Sequence, residues 1–408
     1  MNLVQRLTGL LGIVVILGIA YLFSNNRKAI NPRIVLWGLG LQWFFALFIL
    51  VSPVGKPLFF FFDRAIRKLL QFSDEGAKFV FNNLAVGPGS EDSLGFFFAF
   101  QVLPTIIFFS AFMSILYHIG LMQVVVKLIA RAMQKTMRTS GSETLSCSSN
   151  IFVGQTEAPL VIRPFLDTMT RSELTAIMTG GFATIAGGVM AVYVKWLAHI
   201  PDIAGHLMAA SVMSAPAALV VAKIIYPETE ESATKGDLKM DVEKRADNVM
   251  ESVARGATDG MRLAANVAAM LIAIVALVAG INYMLGLVGL SFEQILGWIF
   301  SPLAFCMGVP LGDIFAVGGL MGEKIVLTEL IAYGHLQEMS AELDLKSTII
   351  ASYALCGFAN FASVGIQIGG IGALASGRRK DLASVALRAM MGGALASWLT
   401  ATIAGMLI

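Results

Sequence analysis

The chain has 408 residues, 57% of them hydrophobic and 14% charged, with a net charge of +2 and a mean hydropathy of +0.76. Soluble domains are about 45–50% apolar and about 25% charged, so the composition excludes a soluble enzyme, a disordered regulator and a secreted disulfide scaffold. The small net charge argues against a nucleic-acid partner, and Cys147, Cys306 and Cys356 lack the CxxC spacing of a disulfide framework or zinc site.

A membrane-crossing helix needs about 20 apolar residues. Eight stretches qualify: 2–24, 34–54, 94–117, 172–196, 207–226, 261–287, 347–372 and 382–406. The expected fold class is therefore an all-α polytopic membrane protein, and its forty glycines suit close helix contacts. The first stretch is followed, not preceded, by its basic cluster (Arg27, Lys28, Arg33), the reverse of signal-peptide polarity. The positive-inside rule then puts both termini outside and the clusters Lys127–Arg138 and Arg378–Lys380 in the cytoplasm. The basic segment left outside, 55–93, balances its lysines and arginines with Asp63, Asp74, Glu75, Glu91 and Asp92.

Between the spans, 57–72 and 120–137 mix apolar and charged residues at helical spacing, which suits interfacial helices. Loop helices packed on protein would read the same way. The polar segments 142–170 and 308–336, each with a central Glu and prolines, read as two opposed re-entrant hairpins. The hydrophilic stretch 227–258 is a linker too short for its own core. His118, His199, His206 and His335 fall near helix ends, where solvent is expected.

The two halves share a pattern. One reads GQTEAP (154–159), then GGFATIAGGV (180–189); the other reads LTELIAY (327–333), then CGFANFASVGI (356–366). Each places a Glu, Glu157 or Glu329, ahead of a glycine-rich interruption in a spanning helix, 24 residues on at Gly181 and 28 at Gly357. The topology inverts one half relative to the other, and inverted repeats with broken helices at mid-membrane mark secondary transporters. Glycine-rich membrane helices that merely look alike are the alternative.

Glu157 and Glu329 are the strongest site candidates, because an acid inside the bilayer costs about 2.5–3.5 kcal/mol on insertion scales. A structural hydrogen bond to a neighbouring helix is the other explanation for each. Gln155, Thr156, Asn360 and Ser363 add neutral donors and acceptors, a set that suits an uncharged, hydroxyl-rich ligand. Val189 and Phe358 offer surfaces for a flat ring, or ordinary helix packing. Asn150 and Thr184 are neutral oxygen donors beside expected free carbonyls, as in Na+ sites of transporters, or else helix caps. The sequence lacks HExxH, GxSxG and any cluster spaced for metal, which argues against an enzyme.

NIFVGQTEAPLVIRPF (150–165), GGFATIAGGVMAVY (180–193), YPETE (226–230) and ALCGFANFASVGIQIGGIG (354–372) resemble the concentrative nucleoside transporters, and the likeness spans essentially the whole chain. The resemblance implies an elevator-type homotrimer that imports nucleosides such as uridine with Na+, surrounded by membrane lipids. Its implied division is 1–93 for the N-terminal and external helices, 94–117 and 261–287 for scaffold helices, 118–226 and 288–408 for the repeats, and 227–260 for the linker. It implies that Gln155, Thr156, Glu157 and Val189, with Phe358 beside them, surround the nucleobase. Glu329, Asn360 and Ser363 would hold the ribose. Asn150 and Thr184 would bind Na+ through side chains, with the carbonyls of Val153, Thr184 and Ile185. Ala362 and Thr328 depart from the residues many members carry, which bears on substrate range. A bacterial inner membrane is expected from the absence of long terminal extensions. The rivals are a proton-coupled symporter of the same fold and, from another class, a channel or non-transporting receptor.

Overall fold

Every regular element in the computed structural model, which describes residues 3–87, 92–235 and 246–408, is helical. Residues 1–2, 88–91 and 236–245 lie outside the described residues, and with them part of the expected segments 1–93 and 227–260. The chain opens with α1 (Leu3–Leu22) and α2 (Pro32–Ala46). The Asn31 side chain accepts from Arg33 N at 3.0 Å, and Pro32 takes the first helical position, where its missing N–H costs nothing. A π-helical turn over Leu47–Val51 extends α2. Then α3 (Gly55–Phe81) runs nine residues past the expected 57–72, because the helix stops only where Asn82 takes a φ of 50°.

After α4 (Phe98–Gln101) and α5 (Leu103–His118), α6 (Leu121–Met137) matches the expected 120–137 and buries Met122, Val126, Ala130, Met133 and Met137 along one stripe. The first polar segment becomes α7 (Gly141–Ser149), an irregular tip, and a 3-10 run over Ala158–Thr168. Capping boxes at Ser140/Glu143 and Thr170/Glu173 open α7 and α8 (Arg171–Ala183). Next come α9 (Gly187–Trp196), α10 (Ile203–Ile225) and α11 (Val249–Gly286). The helix α11 starts twelve residues before the expected span 261–287, because Asn248 caps it by accepting from Glu251 N at 2.9 Å. Its early turns look too polar to cross a membrane, yet they bury Gly256 and Gly260 against the α5 backbone, where a Cβ would come within 2.7 Å of Ala111 and Ile107.

The second half comprises α12 (Phe292–Cys306), α13 (Ile314–Val326), α14 (Glu329–Met339), α15 (Leu345–Leu355), α16 (Phe361–Leu374) and α17 (Arg379–Leu407). Six helical runs among the described residues are long and apolar enough to cross a membrane: Pro32–Val51, Phe98–His118, Arg171–Trp196, Ile203–Ile225, Val249–Gly286 and Ser376–Leu407. The expected span 347–372 is shared by α15 and α16, each too short alone, and 2–24 is covered from Leu3 by α1. The helices α8, α10 and α17 pack together; α8 and α10 are buried almost throughout and α17 from Gly392 to Gly405, whereas α11 is largely exposed.

Candidate functional site

The site is built where two helices stop and restart. The chain is extended between α8 and α9 (Thr184 φ −127°, ψ 167°; Ala186 ψ 145°) and again where Asn360 (φ −141°, ψ 163°) opens α16. The two breaks touch: Phe358 N donates to the Thr184 carbonyl at 3.3 Å. Gly357 makes the contact possible, with a φ of +148° and so little room that a Cβ would lie 2.6 Å from the Phe182 carbonyl oxygen. Gly357→Ala combines backbone strain of about 1–3 kcal/mol with that clash. The expected outcome is a lower midpoint in thermal unfolding together with loss of ligand binding.

A polar chain crosses between the halves at these breaks. Glu329, in the first turn of α14, accepts from Asn360 Nδ2 at 2.7 Å and from the Tyr193 hydroxyl at 3.3 Å. Asn360 Oδ1 accepts from Ser363 N at 2.7 Å, which caps α16. Ser363 Oγ accepts from Gln155 Nε2 at 3.1 Å, and Gln155 Oε1 accepts from Gln367 Nε2 at 2.9 Å. All these side chains are buried. The carboxylate also sits at a helix N-terminus, where the positive end of the dipole favours it.

The structure thus brings Gln155, Glu329, Asn360 and Ser363 into one network. Val189 lies buried in α9, and half-buried Phe358 lies in the second break. Thr156 packs its methyl where a Cβ on Gly370 would be, 2.7 Å away. Glu157 separates from Glu329: it is exposed, and its carboxylate accepts from Gly154 N at 3.2 Å.

A second cluster lies at the end of α8. Asn150, the C-cap of α7, donates from Nδ2 to the Ser146 carbonyl at 3.2 Å, which fixes the amide orientation. Its Oδ1 is buried and has no hydrogen-bond partner among the described residues. The Thr184 hydroxyl donates to the Gly180 carbonyl at 3.0 Å, which leaves its lone pairs unused among the described residues. Among the described residues, the carbonyls of Val153 and Ile185 accept no hydrogen bond. An orphaned amide oxygen beside neutral oxygens fits a dehydrated monovalent cation, because a buried polar atom is otherwise satisfied.

Sequence reasoning missed several participants. Tyr193 stacks on Tyr333 with centroids 3.9 Å apart, which holds its hydroxyl toward Glu329. Gln367 fixes Gln155 and also donates to the Met178 carbonyl at 3.1 Å. Lys223 and Lys324 are buried inside apolar runs; Lys223 pairs with Glu143 at 2.7 Å and Glu228 at 3.3 Å. A lone charge in an apolar run was the available signal for Lys223, whereas Lys324 follows Glu323 directly and gave none. His206 corrects the expectation of solvated histidines, being buried with Nδ1 3.1 Å from the Tyr353 hydroxyl.

The family model described as the Na+ dependent nucleoside transporter C-terminus matches residues 206–405, and its N-terminal counterpart matches 11–84. A model described as nucleoside recognition matches 99–199. An uncharacterized transporter of Bacillus subtilis is 44% identical, over 98% of this chain and 99% of its own. The chain belongs to the Na+ dependent nucleoside transporter family. Within that family, sodium/nucleoside cotransporter 1 of Mus musculus is 40% identical over 99% of this chain and 64% of its own. The solved structure of CNTnw in an inward-facing substrate-bound state is 40% identical, covers 99% of this chain and 98% of its own, and superposes with a TM-score of 0.91. Na+ dependent nucleoside transporters are transporters and not enzymes, in line with the missing catalytic motifs.

Proposed function

We propose that the chain is a symporter that carries one nucleoside, such as uridine, inward across a bacterial inner membrane together with Na+. The observation that carries this reading is the buried chain from Glu329 through Asn360 and Ser363 to Gln155, next to the unpartnered Asn150 Oδ1. Vicinal ribose hydroxyls are donors, and an ionised Glu329 accepts charge-assisted bonds from them. A phosphorylated nucleotide would bring negative charge against the same carboxylate and is rejected. The neutral amide of Gln155 reads a base edge from a position fixed by Gln367 and Ser363. The exposed Glu157 and the surfaces of Thr156, Val189 and Phe358 complete that end of the site.

Asn150, Thr184 and the carbonyls of Val153 and Ile185 hold Na+ on this reading, supported by their unused lone pairs. The Phe358–Thr184 contact joins the two breaks, so the ion organises the same backbone that shapes the nucleoside site. The proposed architecture has eight membrane segments in an inverted repeat, with 142–170 and 308–336 as opposed re-entrant hairpins and both termini outside. Three copies assemble around the scaffold helices α5 and α11, and the remainder moves as an elevator. The close α5–α11 packing and the largely exposed apolar flank of α11 are compatible with that role.

Uridine counterflow in proteoliposomes tests the carrier reading. Saturable exchange of internal for external nucleoside is expected, whereas unsaturable leak would indicate a pore. Within that assay, Gln155→Ala should change the rank order of competing nucleosides, since a lost hydrogen bond of about 0.5–1.5 kcal/mol falls unequally on different bases. Equal weakening of every competitor would assign Gln155 a structural part instead.

A further inference from the structure

Each half sets the first arm of its polar segment against the end of the broken helix that follows. In the first half, α7 ends on Asn150, and a Cβ on Gly180 in the last turn of α8 would lie 3.5 Å from its amide nitrogen. In the second half, the last turn of α13 carries Lys324, which is completely buried. Its ammonium donates to the Ala354 carbonyl, in the last turn of α15, at 2.8 Å and to Ser397 Oγ of α17 at 2.6 Å. No carboxylate lies within ion-pair distance of it among the described residues.

An ammonium buried without a counter-ion is costly, so its surroundings must supply the compensation. The end of α15 does so, because the last carbonyls of a helix carry about half a negative charge. The Ser352 carbonyl there takes the Tyr333 hydroxyl and the Ala354 carbonyl takes the ammonium. The end of α8 receives no cationic side chain among the described residues: the Gly180 carbonyl takes the Thr184 hydroxyl, the Met178 carbonyl takes the Gln367 amide, and Asn150 Oδ1 is left without a partner. The two helix ends therefore differ in charge: a cation is covalently tethered at α15, whereas α8 is met by neutral donors and oxygen ligands.

We propose that the Lys324 ammonium is a fixed cation occupying, at the end of α15, the place that Na+ takes at the end of α8, so that one Na+ and not two accompanies each nucleoside. The proposal rests on the reading of Asn150 and Thr184 as Na+ ligands. Lys324 is then a positioning residue: it clamps α13, α15 and α17 at the break that presents Asn360 and Ser363, without touching the nucleoside. Its charge also offsets Glu329, five residues on in the same segment, so the moving unit gains only the charge of the ion it carries.

The test uses full-length protein in proteoliposomes, with uridine uptake titrated against Na+ and the charge moved per uridine taken from the reversal potential. Wild type should show a Hill coefficient of about 1 for Na+ and one charge per uridine; two charges overturn the proposal. Lys324→Asn removes the tether and leaves an amide oxygen, as Asn150 does. Its half-saturating Na+ concentration should rise at least about tenfold, with the Hill coefficient moving toward 2. Lys324→Arg keeps the charge and should keep the wild-type Hill coefficient at a reduced rate. A Lys324→Asn protein with wild-type elution in gel filtration and an unchanged Na+ response overturns the proposal. So does loss of uptake that no Na+ concentration restores in both folded variants. If Lys324→Asn does not fold, the wild-type charge ratio and the Lys324→Arg response decide. Asn150→Leu run in parallel separates the two readings: if it retains full Na+ dependence, the Na+ site itself is misassigned. If only the Lys324 variants behave as wild type, the fixed cation alone is wrong.

Discussion

Replacing Glu329 with alanine is expected to raise the uridine dissociation constant by about 10- to 150-fold, the equivalent of losing a charged hydrogen-bond partner at about 1.5–3 kcal/mol. Two effects add. On the proposed reading the nucleoside loses its anionic acceptor, and Asn360 Nδ2 and the Tyr193 hydroxyl lose theirs. The variant should also cease to prefer uridine over its deoxy analogues, because the acceptor that counts hydroxyls is gone. Elution volume in gel filtration should not change, since Glu329 makes no ion pair within 4 Å among the described residues. Calorimetry is the direct check: a titration with unchanged affinity would remove Glu329 from the ribose site.

Asn150→Leu should abolish the Na+ dependence of uridine binding. The substitution keeps the volume at the end of α7 and deletes a buried amide oxygen that has no partner among the described residues. A cation then keeps too few ligands at the α8 end to offset its dehydration. The consequence is large, because an uncharged nucleoside moving with one Na+ carries one charge. At 100 mV that is about 2.3 kcal/mol, or roughly 50-fold accumulation at 1.36 kcal/mol per tenfold. The variant should therefore equilibrate uridine at best and not concentrate it, and uridine binding titrated with and without Na+ shows the difference.

The sequence made the helices legible wherever apolar length and caps agreed, as at Pro32, Thr170 and Asn360. The breaks were legible as well, because runs such as GGFATIAGGV cannot stay helical and apolar throughout. Glu329 stood out for a related reason, an acid among apolar residues having few innocent explanations. Where the sequence misled, one physical cause recurs: partners far along the chain. The charged face of 249–260 hides Gly256 and Gly260, whose burial against α5 extends α11 beyond its apolar core. Glu157 and Glu329 occupy similar motifs, yet one is exposed and the other buried, and only the packing of α9 and α16 around Glu329 separates them. Tyr193, Gln367 and Lys324 look like ordinary members of their helices until their acceptors on other helices are known. His206 reads as solvated from its place near a helix start, but Tyr353, 147 residues away, covers it.

Radiolabelled uridine uptake into proteoliposomes, with the Na+ gradient, the K+ gradient and pH varied one at a time, tests Na+-coupled nucleoside transport most directly. Neutral oxygen ligands hold Na+ without a proton equilibrium. Uptake should therefore follow inward Na+, ignore K+ beyond its effect on voltage, and change little between about pH 6 and 8, where a coupling histidine would titrate. Uptake that persists without Na+ and collapses with a protonophore would contradict the account, and would move the coupling from Asn150 and Thr184 to a titratable group such as Glu157.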